Sequence, residues 1–408
     1  MAEKRKFHSS MVLTSEEVKS ILLKKIDEEN EKLKTNIAED LSKVSFNYDK
    51  NRINVLSLFS GCGGLDLGIE LAGLALAVGE SRALKLFKEK DEYFNNRNKS
   101  LIHYIYSNDI FTEASESYRE NFAKDIFLDS TDIRKISNFP KADIVLGGFP
   151  CPGFSEAGPR LVDDERNFLY LHFIRCLLQS KPKIFVAENV KGMLTLGNGE
   201  VFKQIVEDFA AAGYTVHHKL LDASKYDVPE IRERVVLVGI RTDLEGTFDY
   251  PEETRGEGKK PILTLKDAIW DLRDNPGDYF KGDFSSIFMS RNRKKSWDEP
   301  SFTIQASGRQ APIHPDGAPM IHVGKDKYEF SDGKNNNRRL SVKEIARIQT
   351  FPDWFYFSKG SSKRNENAKL DLVYKQIGNA VPVMLAFHVG RAVISTYLNV
   401  TGSTLSKI

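Results

Sequence analysis

The sequence predicts an α/β protein: a doubly wound, mostly parallel sheet joined to a smaller second lobe. Three observations carry that expectation. Short apolar runs alternate with helical patterns from Ile53 to Ile240, the order that lays helices on both faces of a parallel sheet. From about Thr242 to Arg338 the alternation stops, and Gly, Pro, Asn and charged residues dominate. The chain has 408 residues, more than the roughly 250 to 300 that one hydrophobic core usually holds.

Taken in order, residues 1–50 mix Lys and Glu with spaced apolar positions. Val18, Ile21, Leu22 and Ile26 predict an amphipathic helix that starts near a Thr14, Ser15 cap. INVLSLF at 53–59 reads as a buried strand, SGCGG as a tight turn, and LDLGIELAGL as a buried helix. A charged insertion at 80–100 reads as a surface excursion. YSND then puts Asp109 where a strand ends, and STDIRKI puts Asp132 and Ile133 after the next. ADIVLGG, KIFVAEN and RVVLVGI are further strand candidates, with helical patterns over Phe168 to Leu178 and Val201 to Ala212. The expected division is a helical extension (1–50), a main domain (51–245 with 376–408), a second domain (246–337), and a hinge or bridging segment (338–375). The last contains SVKEIARIQTF, and the apolar helix after QIGNAVP needs a large core to rejoin.

Composition narrows the function. Hydrophobic residues are 40% and charged residues 28%, ordinary for a packed globular chain. The net charge of +2 rules out a polycation, so any nucleic-acid site must come from local clusters such as RNRKK at 291–295. Cys62, Cys151 and Cys176 show no CxxC spacing, and MAEKRKFHSS has no signal-peptide core, which makes a reducing cytoplasm the expected setting. No run approaches the roughly 20 apolar residues of a membrane span, and the eight histidines lack metal-ligand spacing. Neither a membrane role nor a metal is expected.

Two motifs carry chemistry. In SLFSGCGG, Gly61, Gly63 and Gly64 allow positive φ and close approach to a ligand, with a helix N-terminus behind them. Asp66, three positions after Gly63, breaks the GxGxxG fingerprint and argues against a nicotinamide cofactor. Carboxylates at strand ends, Asp109 and Asp132, suit a ribose diol or an adenine amino group. GGFPCPGFSEAGPR at 147–160 holds one cysteine between two prolines in a glycine-rich loop, which fixes the sulfur on a segment able to move. KIFVAEN ends a neighbouring strand with Glu188 and Asn189. A cysteine and a glutamate without a catalytic histidine do not fit acyl transfer; they fit attack on an electron-poor ring whose nitrogen is held or protonated.

The ordered series LSLFSGCGGLDLG, YSND, DI, GGFPCPGFSEAG, AENV, VPEIRERVVLVG, RRLSVKEIARIQTFPDWF and QIGNAVP resembles the DNA (cytosine-5) methyltransferase family of bacterial restriction-modification type, over most of 53–395. The resemblance implies the Rossmann-like fold of enzymes that use S-adenosylmethionine. It also implies that Phe59 and Gly61, Gly63 and Gly64 cradle that donor, that Asp109 binds its ribose, that Ile110 packs on adenine, and that Asp132 with Ile133 recognises adenine. Pro150 and Asn379 line the same pocket. Cys151 is then the nucleophile, Glu188 holds N3 and the amino group of a flipped cytosine, and Arg234 contacts the base carbonyl. Arg232 matches the arginine near the catalytic loop and the DNA backbone. Double-stranded DNA is the implied partner, bound by a monomer and shared with a cognate restriction endonuclease. The 246–337 lobe, with Gln305, Arg309 and Gln310, reads the target.

The chain departs from the family pattern at Pro152 and Glu230, where glutamine is frequent, and at Ile110, where tryptophan is common. Three rival readings are the same chemistry on RNA, an inactive binding protein of this fold, and a nicotinamide oxidoreductase. The large 246–337 lobe argues against the first, the presence of both Cys151 and Glu188 against the second, and Asp66 against the third.

Overall fold

The structure, a computed structural model, describes residues 13–150, 168–332, 337–361 and 363–403. Seven strands form the central sheet: β1 (Ile53–Leu58), β2 (Ile102–Asn108), β3 (Phe127–Asp129), β4 (Ile144–Gly147), β5 (Ile184–Val190), β6 (Tyr214–Asp222) and β7 (Glu233–Arg241). Their order is β3-β2-β1-β4-β5-β7-β6. All neighbours are parallel except β7, which runs antiparallel to both β5 and β6. Successive residues of a strand feed opposite layers. Ile144, Leu146, Ile184 and Val186 enter one apolar cluster, while Val145, Phe185 and Ala187 enter the other. Burial on both faces is why these strands read as unbroken apolar runs.

Helices α2 (Gly64–Val78) and α11 (Val383–Thr401) cover the first face. They approach closely because small residues meet. A Cβ on Gly68 would lie 2.4 Å from that of Ala386, and one on Gly390 would lie 3.0 Å from that of Ala72. The helical stretch Glu366–Thr401 is long and apolar enough by composition to cross a membrane, which the search for 20-residue apolar runs overlooked. However, 72% of its most apolar window is buried in the protein, so the apolar residues are used as core. On the second face lie α6 (Phe168–Ser180), α7 (Glu200–Ala211) and α1 (Ser15–Asn36). As expected, α1 begins at Thr14, whose side chain and that of Glu17 cap each other's backbone. It buries Val18, Leu22, Ile26 and Leu33.

The 80–100 insertion is no surface excursion. It folds as α3 (Glu80–Leu86) and α4 (Lys90–Asn96). Tyr93 is fully buried, stacks on Trp354 at 5.6 Å and donates to Glu70 at 2.8 Å. Arg97 forms a buried bidentate pair with the same Glu70. Phe87 is buried against the same Trp354 at 5.8 Å, so the charged composition of the insertion masks two aromatic anchors and one satisfied ion pair.

The segment 338–375 packs against both halves of the structure. Leu340, with Ile345 and Ile348 of α9 (Val342–Ile348) and Leu370 and Tyr374 of α10 (Glu366–Asn379), shares a cluster with Phe280, with Ile304, and with Leu265 and Ile269 of α8 (Leu265–Ile269). Phe351 and Phe355 of the same segment enter the first face's cluster instead, with Trp354 packed against it. Residues 338–375 thus contribute to both cores, and the expected boundary at 376 falls inside α10.

Asp66, in the first turn of α2, is wholly buried with its carboxyl accepting from Tyr118 at 3.0 Å. Burial pushes this acid up to about 7, helped by nearby Glu70. A raised carboxyl favours the fold while protonated, so its contribution is full below about pH 4 and is lost as pH rises through about 7. Three units correspond to at most about 4 kcal/mol. Asp66→Asn should therefore gain stability relative to the parent chain between about pH 4 and pH 7 and stay level above. Urea denaturation across that range checks this, and a pH-independent difference would refute it.

Candidate active site

The predicted donor-binding residues gather at the carboxyl end of the sheet because three successive strand-end loops are stitched together. Ser60 donates its N–H to Asn108 at 3.1 Å, and Asn108 donates its amide to Thr131 at 2.9 Å. Asp109 ties the arrangement: one carboxyl oxygen accepts from Gly61 N at 2.8 Å and the other from Phe111 N at 2.7 Å. Burial raises its pKa against those bonds and the Lys375 charge. Each oxygen keeps acceptor capacity for a further hydroxyl.

The three glycines do different work. Gly61, at φ 55°, has open space where a Cβ would stand. A Cβ on Gly63, at φ 93°, would strike Phe122 at 2.4 Å, and one on Gly64 would lie 2.5 Å from the Val381 carbonyl. Gly61 thus lines the space, while Gly63 and Gly64 let Phe122 and the chain before α11 close behind it. Phe59 precedes them at φ 53°. Ile110 is 64% exposed, an unusual position for an isoleucine and a suitable face for a flat apolar group. Asp132 caps the turn Ile133–Lys135 and pairs with Arg134. Ile133 is packed into the core and so supports the turn without offering a surface. Pro150 and Asn379 are both exposed, the latter at the end of α10.

Glu188 lies near the end of β5. The antiparallel register sets Val190 opposite Arg234 and Glu188 opposite Val236. Arg234, at the start of β7, consequently reaches the same edge, and its Nε lies 2.8 Å from Glu188 Oε1. Burial raises the Glu188 pKa while Arg234 and Arg232 oppose the rise. Asn189 donates to the Phe149 carbonyl at 2.9 Å, which fastens the β5 end to the chain entering Pro150. Gly148 adjoins the same carboxyl: a Cβ there would stand 3.5 Å from Glu188 Oε2, in ordinary contact. Cys151 and Pro152 lie outside the described residues.

Arg232 does not reach the surface. It is 1% exposed, and its guanidinium donates to the carbonyls of Ile304, Gly378 and Ala380 at 3.2, 2.8 and 2.9 Å. Buried Glu230 stands 3.5 Å away and accepts from Ile304 N at 2.7 Å. A DNA-phosphate contact is not open to Arg232 in this conformation; it clasps the second lobe to the turn after α10.

The profile of a family described as C-5 cytosine-specific DNA methylase matches residues 53–395. The chain belongs to that family. It is 59% identical over 390 residues to the Type II methyltransferase M.BsuRI of Bacillus subtilis, covering 94% of this chain and 89% of that one. It is also 59% identical to M.BspRI of Lysinibacillus sphaericus over 391 residues, covering 95% and 92% respectively. A solved structure of Spodoptera frugiperda DNMT2 superposes with a TM-score of 0.57 at 18% identity, over 84% of this chain and 99% of that one, a likeness of fold. The protein is a DNA (cytosine-5) methyltransferase.

Two features of the methyltransferase rest on tertiary contacts that local sequence does not show. Asn189 was noted only as a neighbour of Glu188, yet its amide is the direct tie to the thiol loop. The basic run RNRKK is largely turned inward. Arg293 is buried and donates to Gln310 at 2.8 Å, Lys294 bonds Asn337 and the His314 and Asp316 carbonyls, and Lys295 pairs with Glu299. By contrast Gln305 and Arg309 are exposed. Among the described residues no group of His, Cys, Asp and Glu is arranged to hold a metal ion.

Proposed function

We propose that this methyltransferase modifies one cytosine within a specific duplex DNA target, through transient addition of Cys151 to carbon 6 of a flipped-out base. The observation that carries the reading is the Glu188–Arg234 pair, buried at 2.8 Å beside the chain that leads through Phe149 and Pro150 into Cys151. The donor pocket fits S-adenosylmethionine: an open glycine at 61, an exposed Ile110 and a loop-holding Asp109 suit the amino-acid, adenine and ribose parts. When bound, that molecule supplies an electrophilic methyl group.

Carbon 5 of cytosine is a poor nucleophile, and addition of the Cys151 thiolate at carbon 6 turns it into an enamine-like centre. Glu188, its affinity for a proton raised by burial, holds N3 and the amino group as the ring gains charge. Arg234 keeps that carboxyl in place and reaches the ring carbonyl. Once carbon 5 carries the methyl group, its proton passes to a base such as water, and the electron pair released expels the Cys151 thiolate from carbon 6 and restores the aromatic ring. Extruding the base costs a few kcal/mol, which protein contacts offset.

The likeness to Type II enzymes supports a place in a restriction-modification system, with a cognate endonuclease reading the same site, in a bacterial cytoplasm. Residues 246–337 are the proposed target-recognition region, and the enzyme acts as a monomer on DNA. The chemistry is tested with duplex DNA carrying 5-fluorocytosine in the target. Fluorine does not leave as a proton does, so a DNA adduct that survives denaturant is expected, mapped by mass spectrometry to Cys151. A complex that dissociates in denaturant after methyl transfer would overturn the mechanism.

A further inference from the structure

The family match begins at residue 53, yet the segment before it is paired with the loop that carries Asp132 and Ile133. After α1 the chain runs alongside the loop that follows Asp132 and Ile133. Ala38 donates its N–H to the Lys135 carbonyl at 2.9 Å. Glu39 and Asp40 pair in parallel with Ile136 and Ser137. Asp40 Oδ1 then accepts from the Asn138 amide at 2.8 Å and from Ser42 N at 3.1 Å. Asn138 sits at φ 57°, a backbone region that costs a non-glycine residue free energy unless neighbours hold it. Beneath this seam Leu41, Ile133 and Ile136 are buried together with Leu22 and Ile26 of α1. The Ile133 carbonyl is held from α6 by Arg175 at 2.7 Å.

The turn at 132–135 is therefore gripped on one side by α6 and on the other by residues 38–42. On the first side the grip is an arginine hydrogen bond. On the second it is a strand pairing locked by one carboxylate. We propose that Asp40 is a positioning residue for the donor pocket, holding the 132–138 loop so that Asp132 meets the adenine of S-adenosylmethionine. The N-terminal segment is then a working part of the enzyme that lies outside the family's common core. This rests on the reading of Asp132 as an adenine contact.

The full-length chain tests it, with KM for S-adenosylmethionine, KM for duplex DNA and kcat measured separately. Asp40→Ala should raise the first about five- to tenfold and leave the other two within about twofold, a change of roughly 1 kcal/mol in donor binding. Asp40→Asn, whose carbonyl oxygen accepts the same two bonds, should restore the parent value. Thr14→Ala weakens α1 at its far end, through the cap, and should not move the donor KM. Equal rises in Asp40→Ala and Thr14→Ala, or no rescue by asparagine, would reduce Asp40 to a general stability role and overturn the proposal. An unchanged donor KM in Asp40→Ala would do the same. Asp132→Ala separates the two claims. If it weakens donor binding while Asp40→Ala does not, the positioning role alone fails; if it has no effect, the adenine reading fails and takes this one with it.

Discussion

Replacing Cys151 with Ala is expected to remove methyl transfer to DNA, a loss on the order of 10⁴-fold or more, the scale seen when a covalent nucleophile is deleted. Binding of S-adenosylmethionine should persist, because the residues assigned to the donor are held without the thiol. Asp109 fixes Gly61 through its own hydrogen bonds, and Gly63 and Gly64 are packed by Phe122 and Val381. Tritium incorporation into duplex DNA and calorimetric titration of the donor measure the two properties independently. Near-normal turnover in the variant would remove the covalent step from the mechanism. Loss of donor binding together with turnover would show that the loop shapes the pocket as well as acting on the base.

The second large effect is expected at Arg232. Its side chain is an ion buried with Glu230, and it satisfies three carbonyls from two separate stretches of chain. Arg232→Ala leaves Glu230 buried without its counter-charge and those carbonyls short of donors, a change that costs about 3 to 5 kcal/mol. Paired substitution by Arg232→Met and Glu230→Gln removes both charges together and should recover part of the loss, since an apolar replacement of a buried pair often breaks even. Urea denaturation of the three chains reads this directly. A single-variant loss below about 1 kcal/mol would show that the clasp does not join the lobes. Because Gly378 and Ala380 flank exposed Asn379, a weakened clasp should also loosen the proposed donor pocket.

Much of the main domain was legible from sequence because its strands are buried on both faces and its loops carry glycine at forced positions. The unbroken apolar runs, the SGCGG turn, the Thr14 cap and the strand-end acids all stand where local chemistry puts them. What was hidden depends on contacts between distant segments. Nothing local in RVVLVGI shows that β7 runs antiparallel, yet only that direction brings Arg234 to Glu188. The arginine pair looks alike in sequence, but Arg234 lines the site and Arg232 is sealed beneath it. RNRKK was read by its charge, whereas Gln310, Glu299 and a set of backbone carbonyls absorb most of it. The insertion before YSND packs where Ala83, Phe87 and Tyr93 put it, and its average polarity conceals those few buried residues. The glycine roles separate only when their neighbours are known: residue 61 opens outward while residues 63 and 64 have tight tertiary partners.

The close contact between Gly68 and Ala386 also sets a timetable for biogenesis. At synthesis rates of about 5 to 20 residues per second, α2 leaves the ribosome roughly 15 to 60 s before α11 exists to shelter it. Throughout that interval the face of α2 that carries Gly68 has no partner, and exposed apolar surface of this kind promotes association of incomplete chains. The same delay leaves the turn at Gly64 without its Val381 neighbour until the last part of the chain is made.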